Sequence, residues 1–343
     1  MNPAAPSAPS FADVLADRSA PPRVLDGGLG THLADRGLDV TGELWSAQIL
    51  RERPEEVRAA HADFFAAGAQ VATSCSYQVT ADGLARAGAA PAELEQLLRA
   101  SVDLARQAAD APAAAGTDGD ARAEGSRGDG DPGAAPAVRG SALRLVAASI
   151  GPYGAGPGAG TEYDGAYGLS ARELAAWHRP RLEILADTAA DVLLAETVPS
   201  IREVEALAGE LEGLRVPAML SMTVREGALG DGTDLREAAR VLRGSSLVAV
   251  GVNCCPVPDA VAALRILAEE LDVPLLAYPN SGEVWDQVHR RWLPGEPGAD
   301  LPGAVPQLAA AGARLIGGCC RVGPAQIARV AGAVAQQQGP SAG

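Results

Sequence analysis

Short apolar runs recur along this chain, separated by longer segments whose apolar residues are spaced by three and four. Eight runs read as buried strands: Arg23–Leu25, Gln70–Thr73, Leu143–Ile150, Asp191–Ala195, Val216–Val224, Leu247–Val252, Val273–Ala277 and Ala313–Ile316. The segments between them carry helical spacing, as in Pro54–Ala67, Pro91–Ala108, Ala171–Ala189, Ile201–Leu211, Asp234–Leu242, Ala260–Leu271 and Pro324–Ala335. Strand–helix alternation predicts an α/β protein with a parallel sheet. Eight such units in about 320 residues fit a (β/α)8 TIM barrel with insertions. An open doubly wound sheet is the competing architecture.

The segment 111–140 interrupts this alternation. It consists mainly of Ala, Gly, Asp, Pro and scattered Arg, with one large apolar residue, Val138. Such a composition buries too little surface to offset the entropy of ordering. It is expected to be a disordered surface insertion between the second helix and the third strand. The domain reading is a disordered tail over 1–21, one barrel over 22–336, and a disordered tail over 337–343.

Charge and composition narrow the function. The chain carries a formal net charge of −15, which argues against nucleic acid as a partner and suits a cationic small substrate. It contains no lysine; all 28 permanently positive side chains are Arg. Schiff-base catalysis, lysine-anchored pyridoxal phosphate and P-loop phosphate binding are thereby excluded. No stretch approaches the roughly 18–20 apolar residues of a membrane span. The N-terminal segment lacks the basic start and apolar core of a signal peptide, so a cytoplasmic location is expected. Thiols stay reduced there, and clustered cysteines more often bind metal than form disulfides.

The five cysteines are Cys75, Cys254, Cys255, Cys319 and Cys320. Four of them lie in Gly251–Cys255 and Gly317–Arg321, each just after a strand-like run. In a barrel, reactive groups collect where strands end. Other polar residues at such ends are Asp26, Ser76–Gln78, Tyr153, Glu196–Thr197, Thr223 and Tyr278–Ser281. Side chains alternate along a strand, so Cys254 and Cys255 should not both face inward. Pro256 turns the chain away, and Cys254 is taken as the metal ligand with Cys255 as packing. Cys319 and Cys320 follow Gly317 and Gly318, which let the backbone leave strand geometry so that both sulfurs reach one ion. The alternatives are small buried hydrophobes and a Cys319–Cys320 vicinal disulfide.

Three thiolates against Zn2+ leave a net charge of −1, a weak Lewis acid for carbonyls. Such a centre is better suited to binding a substrate thiol and keeping it a thiolate near neutral pH. The four histidines, His32, His61, His178 and His289, read as satisfied or solvent-facing. Asp26–His32 resembles a phosphate-binding glycine turn, but Leu33 stands where a dinucleotide fingerprint has glycine. Its backbone N–H groups suit a carboxylate and Asp26 an ammonium, which together would clamp an α-amino acid.

With these residues in view, the chain resembles the zinc-dependent homocysteine S-methyltransferases from Val24 to Val334, outside the insertion. The matching pieces, in order, are Leu25–Thr31, Thr73–Gln78, Ser149–Tyr153, Gly160–Tyr163, Glu196–Thr197, Gly251–Cys254, Tyr278–Glu283 and Gly317–Arg321. The resemblance implies a homocysteine-binding (β/α)8 barrel with zinc on Cys254, Cys319 and Cys320, and the homocysteine sulfur in the fourth position. It implies Asp26 for the substrate ammonium, the amides around Gly27 and Gly28 for its carboxylate, and Glu162 at the amino-acid site. It further implies a sulfonium methyl donor, S-methylmethionine or less efficiently S-adenosylmethionine, and methionine as product. Tyr77, Tyr163 and Trp45 are candidates to face the cation through their rings, with core or rim packing as the alternative. Glu196 is a candidate either to hold the donor's ammonium or to anchor a strand-end hydrogen bond. The chain length speaks against the cobalamin-dependent and betaine-using branches and for a monomer. Selenocysteine or another thiol as acceptor, a non-catalytic zinc-binding barrel, and a metal-free thiol redox protein are the competing functions. Cys75 departs from the family pattern.

Overall fold

All eight apolar runs form strands that pair in parallel. We number them β1 (Arg23–Val24), β2 (Val71–Thr73), β3 (Leu145–Ile150), β4 (Val192–Val198), β5 (Ala218–Met222), β6 (Ala249–Asn253), β7 (Leu275–Tyr278) and β8 (Ala313–Ile316). The computed structural model describes residues 10–42, 44–112, 143–156, 161–282, 284–286, 291–293 and 300–337. Successive strands are neighbours from β2 to β8, and β8 pairs with β1 through Arg23↔Leu315 and Val24↔Ile316. A parallel bridge between Leu25 and Val71 joins β1 to β2 and completes the ring. The fold is therefore a (β/α)8 barrel, and the open doubly wound alternative is set aside.

The pleat sorts residues into two cores. Val192 and Leu194 of β4, Met219 of β5, Ala249 of β6, Leu276 of β7 and Leu315 of β8 share one cluster that fills the lumen. Their neighbours, such as Leu193, Leu220, Val250 and Leu275, pack outward against the helices. The lumen-facing parity continues to the carboxyl ends of the strands, where it changes from apolar to polar. Val71 is followed two residues on by Thr73, Ala147 by Ser149, Leu194 by Glu196, Met219 by Ser221 and Gly251 by Asn253. A polar floor is thus built at the end where barrel loops gather.

The expected helices form, among them Pro54–Ala66, Ala92–Asp110, Ala171–Ala186, Ile201–Leu211 and Pro324–Gln336. Leu29–Asp35, Ser46–Glu52, Ala81–Arg86 and Leu301–Ala310 are further helices that spacing did not single out. The tail expected over 1–21 needs correction from Ser10 onward. Phe11–Ala16 is a helix whose Ser10 hydroxyl accepts from Asp13 N–H, with the Asp13 carboxylate accepting from Ser10 N–H in return. Phe11 and Leu15 join the lumen cluster and close the barrel at the amino ends of the strands. Residues 1–9, 113–140 of the insertion, and 338–343 lie outside the described residues, as does His289. Among the described residues no helix is long and apolar enough to cross a membrane.

Candidate active site

Cys254, Cys319 and Cys320 converge at the carboxyl ends of β6 and β8, their sulfurs all within 4.8 Å of one another. Cys254 Sγ stands 2.7 Å from Cys319 Sγ and 3.6 Å from Cys320 Sγ. Thiolates on a tetrahedral zinc stand about 3.8 Å apart, given Zn–S bonds near 2.3 Å. The Cys254–Cys320 pair already has that spacing. The Cys254–Cys319 pair is closer, yet well outside the ~2.05 Å of a disulfide. Three soft donors with no fourth side chain among the described residues fit a thiophilic ion with one open position. Hydrogen bonds from the Cys319 and Cys320 thiols pull the Cys254 thiol well below its ordinary range, and those two move up in turn. One thiolate, on Cys254, is thereby favoured, with the other two thiols donating to it.

Backbone conformation makes the convergence possible. Lumen parity runs through Ala249, Gly251 and Asn253, so plain alternation would send Cys255 inward and Cys254 outward. Cys254 instead adopts φ +52°, the left-handed region, which turns its sulfur to the site. Cys255 is 1% exposed and packs in the outer core, where burial pushes its thiol well up. The backbone leaves strand geometry at Gly317 and Gly318, as expected, and both sulfurs reach the cluster. Neither has a positive φ. A Cβ on Gly318 would lie 2.1 Å from Val322 Cγ1, so close approach is what requires glycine there.

Asn253, fully buried, braces the cluster. Its Oδ1 accepts from Thr197 N–H (2.8 Å) and from the Ser221 hydroxyl (2.8 Å). Its Nδ2 donates to Thr197 Oγ1 (2.8 Å) and points at Cys319 Sγ (3.8 Å). On the other side of the site, Cys320 N–H donates to Asn280 Oδ1 (3.1 Å). Sequence alone gives Asn253 no role beyond its place in the Gly251–Cys254 motif; its lumen parity is the signal that marks it.

The thiols open on a cavity that holds every residue singled out for substrate: Asp26, Gly27, Gly28, Tyr77, Glu162 and Glu196, with Trp45, Tyr163 and Cys75. Its charged lining residues are Asp26, Glu162 and Glu196, and no Arg or His is among the described lining residues. Asp26 accepts from Thr73 N–H (2.8 Å) and from its hydroxyl (3.1 Å). Burial nevertheless pushes its carboxyl well up, and the charge of Glu196 adds to this. Burial also pushes Glu196 up to about 7, against the pull of the Ser149 and Tyr278 hydroxyls. Two buried carboxylates without a facing cation among the described residues favour a positively charged guest.

The glycine turn is only partly free for a carboxylate, because Gly28 N–H donates to Val322 O (3.0 Å). A Cβ on Gly27 would lie 2.1 Å from the same Val322 O, so the turn is pressed against the segment that carries Cys319 and Cys320. The Tyr163 hydroxyl stands 3.8 Å from Cys254 Sγ. Cys75 stays outside the thiol cluster, its Sγ directed to Ser46 O (3.5 Å), and burial raises its thiol to about 12. His61 and His178 are fully buried and His32 pairs with Asp63 at 2.9 Å, so these three are away from the thiols.

Comparison with known proteins agrees with this geometry. A family model described as homocysteine S-methyltransferase matches residues 23–334. The homocysteine S-methyltransferase of Escherichia coli is 43% identical, covering 89% of this chain and 93% of its own length. A selenocysteine methyltransferase of Astragalus bisulcatus is 34% identical and covers 98% of both chains. A crystal structure of the E. coli homocysteine methyltransferase MmuM in metallated form superposes with a TM-score of 0.76 at 38% identity, covering 93% of this chain and 98% of that one. By the matched model, these relatives and the shared barrel, the chain belongs to the homocysteine S-methyltransferase family.

Proposed function

We propose that the protein is a zinc-dependent homocysteine S-methyltransferase that moves a methyl group from a sulfonium donor to homocysteine, giving methionine. The observation that carries this reading is the juxtaposition of three convergent thiols with a cavity whose charged lining is acidic among the described residues. A zinc ion on Cys254, Cys319 and Cys320 would take the acceptor's sulfur as its remaining ligand and hold it as a thiolate near neutral pH. That the E. coli relative has a metallated form supports metal binding by this fold.

The chain's own residues supply binding and orientation. Asp26 and Glu162 receive the acceptor's ammonium, and the Gly27–Gly30 turn faces its carboxylate. The acidic lining attracts a sulfonium donor, and Tyr77, Tyr163 and Trp45 present aromatic rings to it. Holding both sulfurs on one line replaces a bimolecular encounter by a positioned one. The acceptor sulfur forms its bond to the methyl carbon as the donor's S–CH3 bond breaks, and that electron pair stays on the donor sulfur. A neutral thioether leaves, so no general acid is required.

The test is zinc per chain in protein purified without chelator, with methionine formation from homocysteine measured using S-methylmethionine and S-adenosylmethionine side by side. About one zinc and turnover support the reading, and the rate ratio identifies the donor. Zinc without methionine from either donor overturns the assigned reaction. A second reading, selenocysteine as acceptor, is favoured by the Astragalus relative. It predicts a higher kcat/KM for selenocysteine than for homocysteine with the same donor.

A further inference from the structure

Behind the cavity wall lies a buried ionic cluster that the reaction does not use directly. Glu203, in the first turn of Ile201–Leu211, meets His178 and Arg181 on one face of Ala171–Ala186. The three are 0%, 0% and 3% exposed. His178 Nε2 stands 2.8 Å from Glu203 Oε1, and Arg181 Nη2 stands 2.8 Å from His178 Nδ1. A guanidinium only donates, so His178 Nδ1 must be the acceptor, and the ring proton sits on Nε2 and is donated to Glu203. The imidazole is therefore a neutral bridge between a cation and an anion. Burial and the neighbouring Arg181 charge, which push its pKa down to about 4, agree with this.

The cluster grips one short loop at two points. Arg181 Nη2 donates to Gly151 O, and Glu203 Oε1 accepts from Tyr153 N–H (2.7 Å). This loop follows β3 and touches two residues of the cavity. A Cβ on Gly151 would lie 2.6 Å from Tyr77 O and 2.9 Å from its ring. A Cβ on Gly154 would lie 2.4 Å from Glu162 N. The loop backbone thus stands between the ionic cluster and both Tyr77 and Glu162. The Arg181 guanidinium also stacks on the Trp177 ring at 4.4 Å, and Trp177 Nε1 donates to Asp82 (2.6 Å), which fixes its placement.

We propose that Glu203, His178 and Arg181 are positioning residues that set Tyr77 and Glu162 for the amino-acid acceptor by clamping the Gly151–Gly154 backbone. The assignment of the acceptor rests on the function proposed above. A buried ion pair is weak support for stability, because desolvation offsets its attraction. Directional control of a loop is what this geometry supplies.

The experiment uses full-length, zinc-loaded Arg181→Met and Arg181→Lys. Steady-state kinetics with homocysteine, zinc content, thermal unfolding and amide exchange over 151–163 are measured for each. In Arg181→Met the homocysteine KM should rise about tenfold with kcat changed less than about threefold, a loss of binding shared by ground and transition states. Zinc should stay at the wild-type level, and the Tyr153 and Glu162 amides should exchange at least about tenfold faster. Arg181→Lys, which keeps one donor, should lie between; it carries the test if the Met variant does not fold. Unchanged KM and unchanged exchange, with only a lower melting temperature, would overturn the proposal and leave a structural role. If the wild type does not turn over homocysteine, the function reading fails and the exchange result alone decides the clamp.

Discussion

Glu196→Gln offers a quantitative check on the buried acidic cavity. Glu196 is 8% exposed, and its carboxyl is raised from the usual 4.5 to about 7, first by burial. In that interval the native chain keeps a proton that the unfolded chain has released. Stability from this group is thus fully present below about pH 4.5 and is lost as pH rises toward and through 7. The interval corresponds to about 3 kcal/mol. For a chain of this length that is about 4–5 °C in melting temperature. Glutamine retains an Oε1 acceptor for the Ser149 hydroxyl but does not titrate. The assay is thermal unfolding of reduced, chelator-treated wild type and variant between pH 5 and pH 8. The thiol cluster and Asp26 titrate in both proteins and feel the charge at position 196, so the difference between them reports residue 196 together with that coupling. Between pH 5 and pH 8 the variant should gain about 3–4 °C on the wild type, because part of the interval lies below pH 5. Parallel melting curves would show that Glu196 is not held protonated, and the account of the cavity's electrostatics would be wrong.

Three further outcomes are expected. Cys254→Ala, Cys319→Ala and Cys320→Ala should each abolish stoichiometric zinc, whereas Cys255→Ala should keep it and cost about 1–2 kcal/mol from a small core cavity; zinc retained by Cys254→Ala would reverse the assignment on β6. Gly27→Ala places a Cβ 2.1 Å from Val322 O, so it should displace the thiol-bearing segment, weaken zinc in a chelator competition, and cost roughly 1–3 kcal/mol. Phe11→Ala should cost about 3 kcal/mol in urea unfolding, because it empties a 4%-exposed site at the base of the lumen. Zinc content should not change in that variant, since the helix lies at the opposite end of the barrel from the thiols.

Much of the fold was legible because period and length carry it. Continuous apolar runs a few residues long can be buried on both faces only as central parallel strands, and each run became one. The N-terminal helix was missed because the Ala- and Pro-rich composition around it masked the Ser10–Asp13 capping box and the Phe11, Val14, Leu15 spacing. The Glu203–His178–Arg181 cluster was illegible for another reason. Its members belong to two separate helices, and nothing along the chain marks which helical faces meet.

By itself the sequence determined the eightfold strand–helix alternation, the two thiol-bearing strand ends, and the absence of lysine chemistry. These depend on residue type and local period, which the chain carries without reference to its fold. The sequence reading took Cys254 rather than Cys255 to meet Cys319 and Cys320, and Cys254 does so, but the period of the strand is not the reason. Strand alternation favours Cys255, yet the left-handed turn at Cys254 reverses the outcome. That turn is held by contacts from other strands: Asn253 hydrogen-bonded to Thr197 and Ser221, and Cys254 N–H to Tyr278 O at 3.3 Å. A backbone conformation outside the strand region costs about 1–3 kcal/mol and persists only where its surroundings fix it. Here those surroundings exist only once the barrel has closed.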